Sequence, residues 1–109
     1  MKEKMFKHKN SVKEAFALNG RVAIITGGAG LLGAKHAEAI AEMGGIPILI
    51  DIDEKRAQEC AQEIANVFGV KAKAYHCDIT NEEAVKKLLS KVLKKFKKVD
   101  ILINNAANN

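Results

Sequence analysis

The hydrophobic residues of this chain follow two alternating periods, which predict four short strands separated by three longer helices. Apolar runs of strand length occupy residues 21–26, 46–52, 71–77 and 100–104, and their β-branched residues are typical of strands. Between these runs, apolar residues recur every three or four positions, as on one face of a helix. The helical stripes are Leu32, His36, Ala37, Ile40 and Met43; Ala57, Cys60, Ala61, Ile64, Ala65 and Phe68; and Val85, Leu88, Leu89, Val92, Leu93 and Phe96.

Glycine and polar residues mark where these helices begin and end. Gly44 and Gly45 follow the first stripe and Gly69 follows the second, so each predicts the end of a helix. Residues 80–83, Thr-Asn-Glu-Glu, predict a capping box in which Thr80 precedes the third helix.

The first 19 residues differ from the rest of the chain. They hold five lysines and predict a peripheral basic arm. Within it, residues 11–18 predict a short helix with Val12, Ala15 and Phe16 on one side. Residues 20–109 then predict one partial domain, and its alternation of strand and helix predicts an α/β fold. Strands joined through such helices pair in parallel with right-handed crossovers, so we expect a Rossmann-like, doubly wound sheet.

A glycine-rich turn between the first strand and the first helix predicts a phosphate-binding site. Gly27 permits the tight turn, Gly30 leaves room for a pyrophosphate against the backbone, and Gly33 allows close packing of the helix. The free N–H groups and the dipole of the helix start favour the negative charge. No Gly-Lys-Ser/Thr follows, which disfavours a triphosphate-binding P-loop. A turn that binds nothing is the alternative.

Asp51 ends the second strand, 24 residues after Gly27. That offset is close to the one expected of a carboxylate that binds the ribose hydroxyls of a dinucleotide. Because a carboxylate repels a 2′-phosphate, NAD is favoured over NADP, although Lys55 and Arg56 weaken the preference. A cap or turn role is the alternative for Asp51, and Asp53 is better placed for it.

Composition narrows the function classes. Of 109 residues, 48% are hydrophobic and 28% charged, as in a soluble globular domain. No apolar run approaches the roughly 18 residues of a membrane span. The first residues lack the apolar region of a secretory signal, so we do not expect them to act as one. Cys60 and Cys77 give neither a disulfide framework nor a metal site, so we expect two reduced, buried thiols in a cytoplasmic protein.

The net charge of +5 is unevenly distributed along the chain. Residues 86–98 carry seven lysines and no acid, whereas residues 22–85 carry ten acids and five bases. The lysines away from the apolar stripe favour a solvated helix face, with a patch for nucleic acid or an acidic partner as the alternative. Since no nucleic-acid-reading motif accompanies them, we expect neither nucleic acid nor membrane as a partner. These lysines are Lys87, Lys91, Lys94, Lys95 and Lys98.

Three motifs, in this order, resemble the short-chain dehydrogenase/reductase family over residues 20–109. They are Thr26-Gly27-Gly28-Ala29-Gly30-Leu31-Leu32-Gly33, Asp78-Ile79-Thr80 and Asn104-Asn105-Ala106-Ala107. The resemblance implies the strand order 3-2-1-4, cut short after the fourth strand of the family's longer sheet. It also implies hydride transfer between a nicotinamide cofactor and an alcohol or carbonyl substrate.

The resemblance further implies roles for single residues. Gly27, Gly30, Leu32 and Gly33 would line the pyrophosphate and nicotinamide-ribose side. Asp78 would bond the adenine amino group with Ile79 beside the ring, or else act as a cap or turn residue. The end of the fourth strand would lie against the ribose and the sheet, with buried structural amides as the alternative; its residues are Asn104, Asn105 and Ala106.

Two positions depart from the family's commonest pattern. Leu31 stands where the middle glycine of the turn is usual, so the glycine spacing is similar to that of the family's extended members, many of which act on nucleotide sugars. Ala107 replaces the glycine that usually ends the asparagine motif. These departures leave the subfamily open.

No catalytic residue carries over from the family. Its acid–base chemistry uses a tyrosine and a lysine four residues later, whereas the one tyrosine here, Tyr75, is followed at that distance by Ile79. We therefore expect the truncated cofactor-binding portion of an NAD-dependent oxidoreductase, inactive by itself. A non-catalytic nucleotide-binding fragment or a basic interaction module is the alternative. Residues 100–104 would form an exposed apolar edge, which predicts self-association.

Overall fold

The computed structural model describes residues 11–106, with Lys13 described by its backbone alone. Residues 1–10 of the predicted arm and Ala107 of the asparagine motif lie outside the described residues. The elements in chain order are α1 (Val12–Ala15), β1 (Val22–Thr26), α2 (Leu31–Glu42), β2 (Ile46–Asp51), α3 (Glu54–Phe68), β3 (Lys73–His76), α4 (Glu82–Phe96) and β4 (Ile101–Asn104).

The four strands form one parallel sheet in the order β3-β2-β1-β4, which confirms the predicted fold class and topology. Thr26 at the carboxyl end of β1 is level with Ile50 of β2 and Asn104 of β4. The carboxyl ends of three strands therefore lie side by side at one end of the sheet, which is where open α/β sheets bind ligands.

Helices cover both faces of the sheet, as a doubly wound fold requires. On one face, α2 and α3 pack against Ile25 and Leu49. On the other face, Val92 of α4 packs against Ile24 and Ile48. Every residue of β1 is buried because both of its faces are covered. Among residues 11–106, no helix combines the length and the apolar character needed to cross a bilayer.

The start of the chain and one cysteine differ from prediction. The first helix spans Val12–Ala15 rather than residues 11–18, and Phe16 remains 68% exposed. Ser11 caps this helix, but a single turn without apolar cover does not propagate. Cys77 is buried as predicted, whereas Cys60 is only half-buried, because it lies at the margin of its core cluster.

The predicted capping box at Thr80 is wrong by one residue. Asn81 caps α4, since its side-chain oxygen accepts the N–H of Ala84 at 3.1 Å. The Thr80 hydroxyl donates instead to the carboxylate of Asp78 at 2.6 Å. Thr80 therefore belongs to the turn after β3 rather than to the helix start.

Candidate functional site

The turn between β1 and α2 joins a left-handed glycine to a helix start that no side chain caps. Gly27 has a φ of 66°, which residues with a side chain rarely adopt. Its carbonyl oxygen accepts the N–H of Gly30 at 3.1 Å. Helix α2 begins directly after Gly30 without a side-chain cap, beside the exposed side chains of Leu31 and Leu32. The first-turn N–H groups of α2 are therefore suited to an anion.

The glycines of this turn serve two different purposes. A β-carbon at Gly28 would lie 2.7 Å from the β-carbon of Leu49, and one at Gly33 would overlap the carbonyl oxygen of Gly27. A β-carbon at Gly30 would meet only that same oxygen, at 3.4 Å. Internal packing therefore requires Gly28 and Gly33, whereas Gly30 borders open space, as a phosphate-facing position requires. The packing role of Gly28 was not predicted.

Asp51 connects the end of β2 to the glycine turn. One carboxylate oxygen accepts the N–H of Ala29 at 3.0 Å and the other accepts the N–H of Asp53 at 3.0 Å. Asp53 itself caps α3 by accepting the N–H of Arg56 at 3.1 Å, as predicted. Because a carboxylate offers about four lone-pair positions, the half-buried Asp51 keeps acceptor capacity for a ligand hydroxyl.

A cleft of about 270 Å³ opens at the carboxyl ends of the strands and brings five of the predicted residues together. Apolar side chains that remain 69% exposed at Ile52 and 38% exposed at Ile79 contribute to its wall. Ile52 was not predicted as a site residue. Its position directly after Asp51 could have indicated that it lies beside the ribose position. The lining residues are Gly27, Ile50, Asp51, Ile52, Cys77, Asp78, Ile79, Thr80 and Ala106.

Thr80 holds Asp78 as a carboxylate. Its hydroxyl and its N–H donate to the same carboxylate oxygen, at 2.6 and 2.9 Å. These two bonds lower the pKa of Asp78, and the bond from the hydroxyl contributes most. The neighbouring thiol of Cys77 behaves oppositely, because burial and then the charge of Asp78 raise its pKa. The cleft thus presents an ionised acceptor beside a protonated thiol.

The end of β4 is tied to β1 by side chains. The Thr26 hydroxyl donates to the amide oxygen of Asn104 at 3.1 Å and accepts the N–H of Ala106 at 3.0 Å. The side-chain amide of Asn105 donates to the carbonyl of Gly27 at 3.3 Å. Both asparagine side chains therefore make internal bonds, in line with the structural alternative for them, while Ala106 reaches the cleft. The role of Thr26 was not predicted.

The fold and this cleft define a Rossmann-type nucleotide-binding unit. A family profile described as short chain dehydrogenase matches residues 21–109. The chain belongs to the short-chain dehydrogenase family, a family of oxidoreductases, which confirms the resemblance.

Several relatives show how much of such a protein the chain represents. It is 37% identical to a sorbose reductase of Candida albicans over 89% of this chain and 34% of the relative. An NADPH-dependent 3-quinuclidinone reductase from Rhodotorula rubra superimposes with a TM-score of 0.80 at 41% identity, over 88% of this chain and 36% of that one. An NAD⁺-bound xylitol dehydrogenase also superimposes with a TM-score of 0.80. It is 35% identical, over 84% of this chain and 35% of that one. The chain thus spans about a third of the length of the relatives it matches.

Proposed function

We propose that this chain binds NAD as the cofactor-binding part of an oxidoreductase that moves a hydride between nicotinamide and an alcohol or carbonyl group. The position of Asp51 carries the proposal. Its carboxylate is half-buried, bonds the glycine turn through Ala29, and faces the same cleft as Asp78. When bound, the dinucleotide supplies the hydride carrier.

The contacts of each residue suggest how the cofactor would be held. The uncapped start of α2, with open space at Gly30, suits the pyrophosphate. Asp51 suits a ribose diol, and Asp78 suits the adenine amino group. Ile52 and Ile79 offer apolar surface to the ring. The remaining predicted residues, Gly27, Leu32, Gly33, Asn104, Asn105 and Ala106, shape the turn and the β4 end that enclose these positions.

NAD is proposed over NADP because Asp51 would repel a 2′-phosphate at close range. Several relatives are named for NADP or NADPH and one is bound to NAD⁺, so the proposed preference rests on Asp51 and not on relatedness. Lys55 and Arg56 are exposed in the first turn of α3, and their charge would reduce the preference. We therefore expect both cofactors to bind, with NAD bound more tightly.

Calorimetric titration of the chain with NAD and NADP tests this proposal. Asp51→Ala is expected to weaken NAD binding roughly tenfold or more, because a hydrogen bond to a charged group contributes about 1.5–3 kcal/mol, and to narrow the gap to NADP. Asp53→Ala is the matched control, since it removes a carboxylate two residues away that caps α3 outside the cleft. Equal losses in both variants, or a folded chain that binds neither cofactor, would contradict the proposal.

The choice of substrate depends on the whole protein, since this chain spans about a third of the length of its relatives. A reductase named for sorbose, one named for 3-quinuclidinone and a dehydrogenase named for xylitol are among its relatives. We propose a small alcohol or carbonyl compound as substrate. Although the glycine spacing is similar to that of the extended members, these three relatives are not named for nucleotide sugars.

We also propose a cytoplasmic location, supported by the two cysteines. Cys60 packs with the cluster on one face of the sheet and Cys77 with the cluster on the other. Both are free thiols, and the sheet between them prevents a mutual disulfide. Cell fractionation that recovers the protein in an oxidising compartment would contradict this location.

A further inference from the structure

A surface at the β3 edge of the sheet gathers lysines from two consecutive elements, β3 and α4. Lys71 and Lys73 come from β3 and its approach, and the others come from α4. All are exposed. We call this set the β3-edge basic surface; its members are Lys71, Lys73, Lys87, Lys91, Lys94 and Lys95.

The two elements lie side by side, since Leu88 of α4 lines one cavity with Tyr75 and His76 of β3. The neighbouring Lys73, then burial and the charge of Lys71, lower the pKa of Lys95. Lys91 borders the same edge, since it lines a cavity with Tyr75 and His76. Like charges are thus held together here by the fold.

Few carboxylates neutralise this surface. Residues 70–77 and 84–99 contain no acid. The ion pairs of the part of the chain that the structure describes join Lys35 to Glu38, Lys86 to Glu82 and Lys98 to Asp100. None involves the six lysines of the β3-edge basic surface. Glu54 is the acid that lines the cavity beside Lys91, and it accepts a bond from Gln58.

The two flanks of α4 differ in chemistry. At 3.6 residues per turn, Lys87, Lys91 and Lys94 lie on the flank that faces β3. The opposite flank carries apolar side chains that are 37–43% exposed, namely Val85, Leu89 and Leu93. The lysine flank has no such apolar side chains. A polar polyanion therefore suits it better than a membrane, into which an amphipathic helix inserts apolar groups.

We infer that the β3-edge basic surface binds the sugar–phosphate backbone of nucleic acid without reading its sequence. Lys87 to Lys95 span about 12 Å at 1.5 Å per residue. One strand of duplex DNA presents a phosphate about every 3.4 Å, so this span faces three or four phosphates. The sequence alone favoured a solvated helix face without nucleic acid; the addition of Lys71 and Lys73 changes that expectation.

Fluorescence anisotropy of a labelled short DNA duplex, titrated with the full chain, tests this inference. With four phosphates neutralised, the logarithm of the affinity should fall with the logarithm of salt with a slope of about −3.6, or roughly a hundredfold between 50 and 200 mM. The double variant Lys73→Gln/Lys95→Gln should reduce that slope by about 2. Added NAD should leave DNA binding unchanged, so this result is independent of the cofactor proposal.

The matched control is Lys86→Gln/Lys97→Gln, which removes the same charge from the other flank of α4 and from the residue that ends this helix. It should keep the wild-type slope. Circular dichroism of both double variants confirms that each is folded. The inference is overturned by equal losses in the two variants, by absence of DNA binding in the wild type, or by binding to phosphatidylserine vesicles or polyglutamate as tight as binding to DNA.

Discussion

The side-chain amide of Asn105 donates to the carbonyl oxygen of Gly27 at 3.3 Å, across 78 residues of sequence. The same nitrogen lies 3.1 Å from where a β-carbon at Gly27 would be and 3.0 Å from one at Gly33. The amide thus occupies space that both glycines leave free. It fixes the turn against the end of β4, so the shape of the glycine turn depends on a residue 78 positions later.

Asn105→Ala should therefore loosen the turn. Removing the donor takes away one of the two hydrogen bonds that the Gly27 carbonyl accepts, the other coming from the N–H of Gly30. The loss should lower the free energy of unfolding by about 0.5–1.5 kcal/mol and weaken NAD binding. Urea denaturation and calorimetry measure the two effects. Asn66→Ala, an exposed change on α3, is the control and should alter neither; a loss of the same size in that variant would contradict the role of Asn105.

Gly30 and Gly28 should respond oppositely to the same substitution. Gly30→Ala adds a methyl group where only the Gly27 oxygen is near, so the fold should survive while NAD binding weakens at least tenfold. Gly28→Ala forces a methyl group against Leu49 and should cost about 1–3 kcal/mol of stability. Thermal melting and NAD titration of each variant separate the effects. Unaltered NAD binding in Gly30→Ala would remove this residue from the phosphate site.

The lowered pKa of Asp100 predicts how the free energy of unfolding depends on pH. Its carboxylate accepts the N–H of Val22 at 2.8 Å and pairs with Lys98 at 3.2 Å. The bond from Val22 is the main cause that lowers the pKa of Asp100, with Lys98 also contributing. A group whose folded pKa lies below its unfolded value, about 3.9 for Asp, stabilises the fold above that value. The contribution is lost as the pH falls through the folded pKa.

Denaturant midpoints measured from pH 5 downwards check this expectation. The wild type should lose stability steadily below pH 4. Asp100→Asn keeps an acceptor for Val22 but has no charge to titrate, so its curve should be flatter over the same range. The Asp78 carboxylate, whose pKa is also lowered, titrates in both proteins and cancels in the comparison. Parallel curves would show that Asp100 does not contribute.

Much of the fold followed from sequence because its signals are local. The run 22–26 is apolar since both faces of β1 are covered, and the uncapped glycine turn lies directly after it. Asp51 was identified by its offset from Gly27, which the parallel pairing of β1 and β2 translates into proximity.

Contacts set by tertiary geometry could not be predicted in the same way. Thr80 and Asn81 are both good capping residues, and the proximity of Thr80 to Asp78 decided between them. The partners of Asn104 and Asn105 lie 78 residues away, and no periodicity indicates them. Likewise, Lys73 and Lys95 belong to separate elements, so they become neighbours only when α4 packs on the sheet.

The two edges of the sheet predict where the chain associates with itself. At the β3 edge, Lys71 and Lys73 discourage pairing with another strand, as charged edge residues do in many sheets. At the β4 edge, Leu102 is 66% exposed and adjoins no further strand within residues 11–106. We therefore expect concentration-dependent association through β4.

Leu102→Lys should shift the chain towards monomer in sedimentation velocity, because a charge at the edge opposes strand pairing. Val67→Lys, at a position equally exposed but on α3, should leave association unchanged. A wild-type chain that stays monomeric at high concentration, or equal effects of the two lysines, would exclude this edge as the contact.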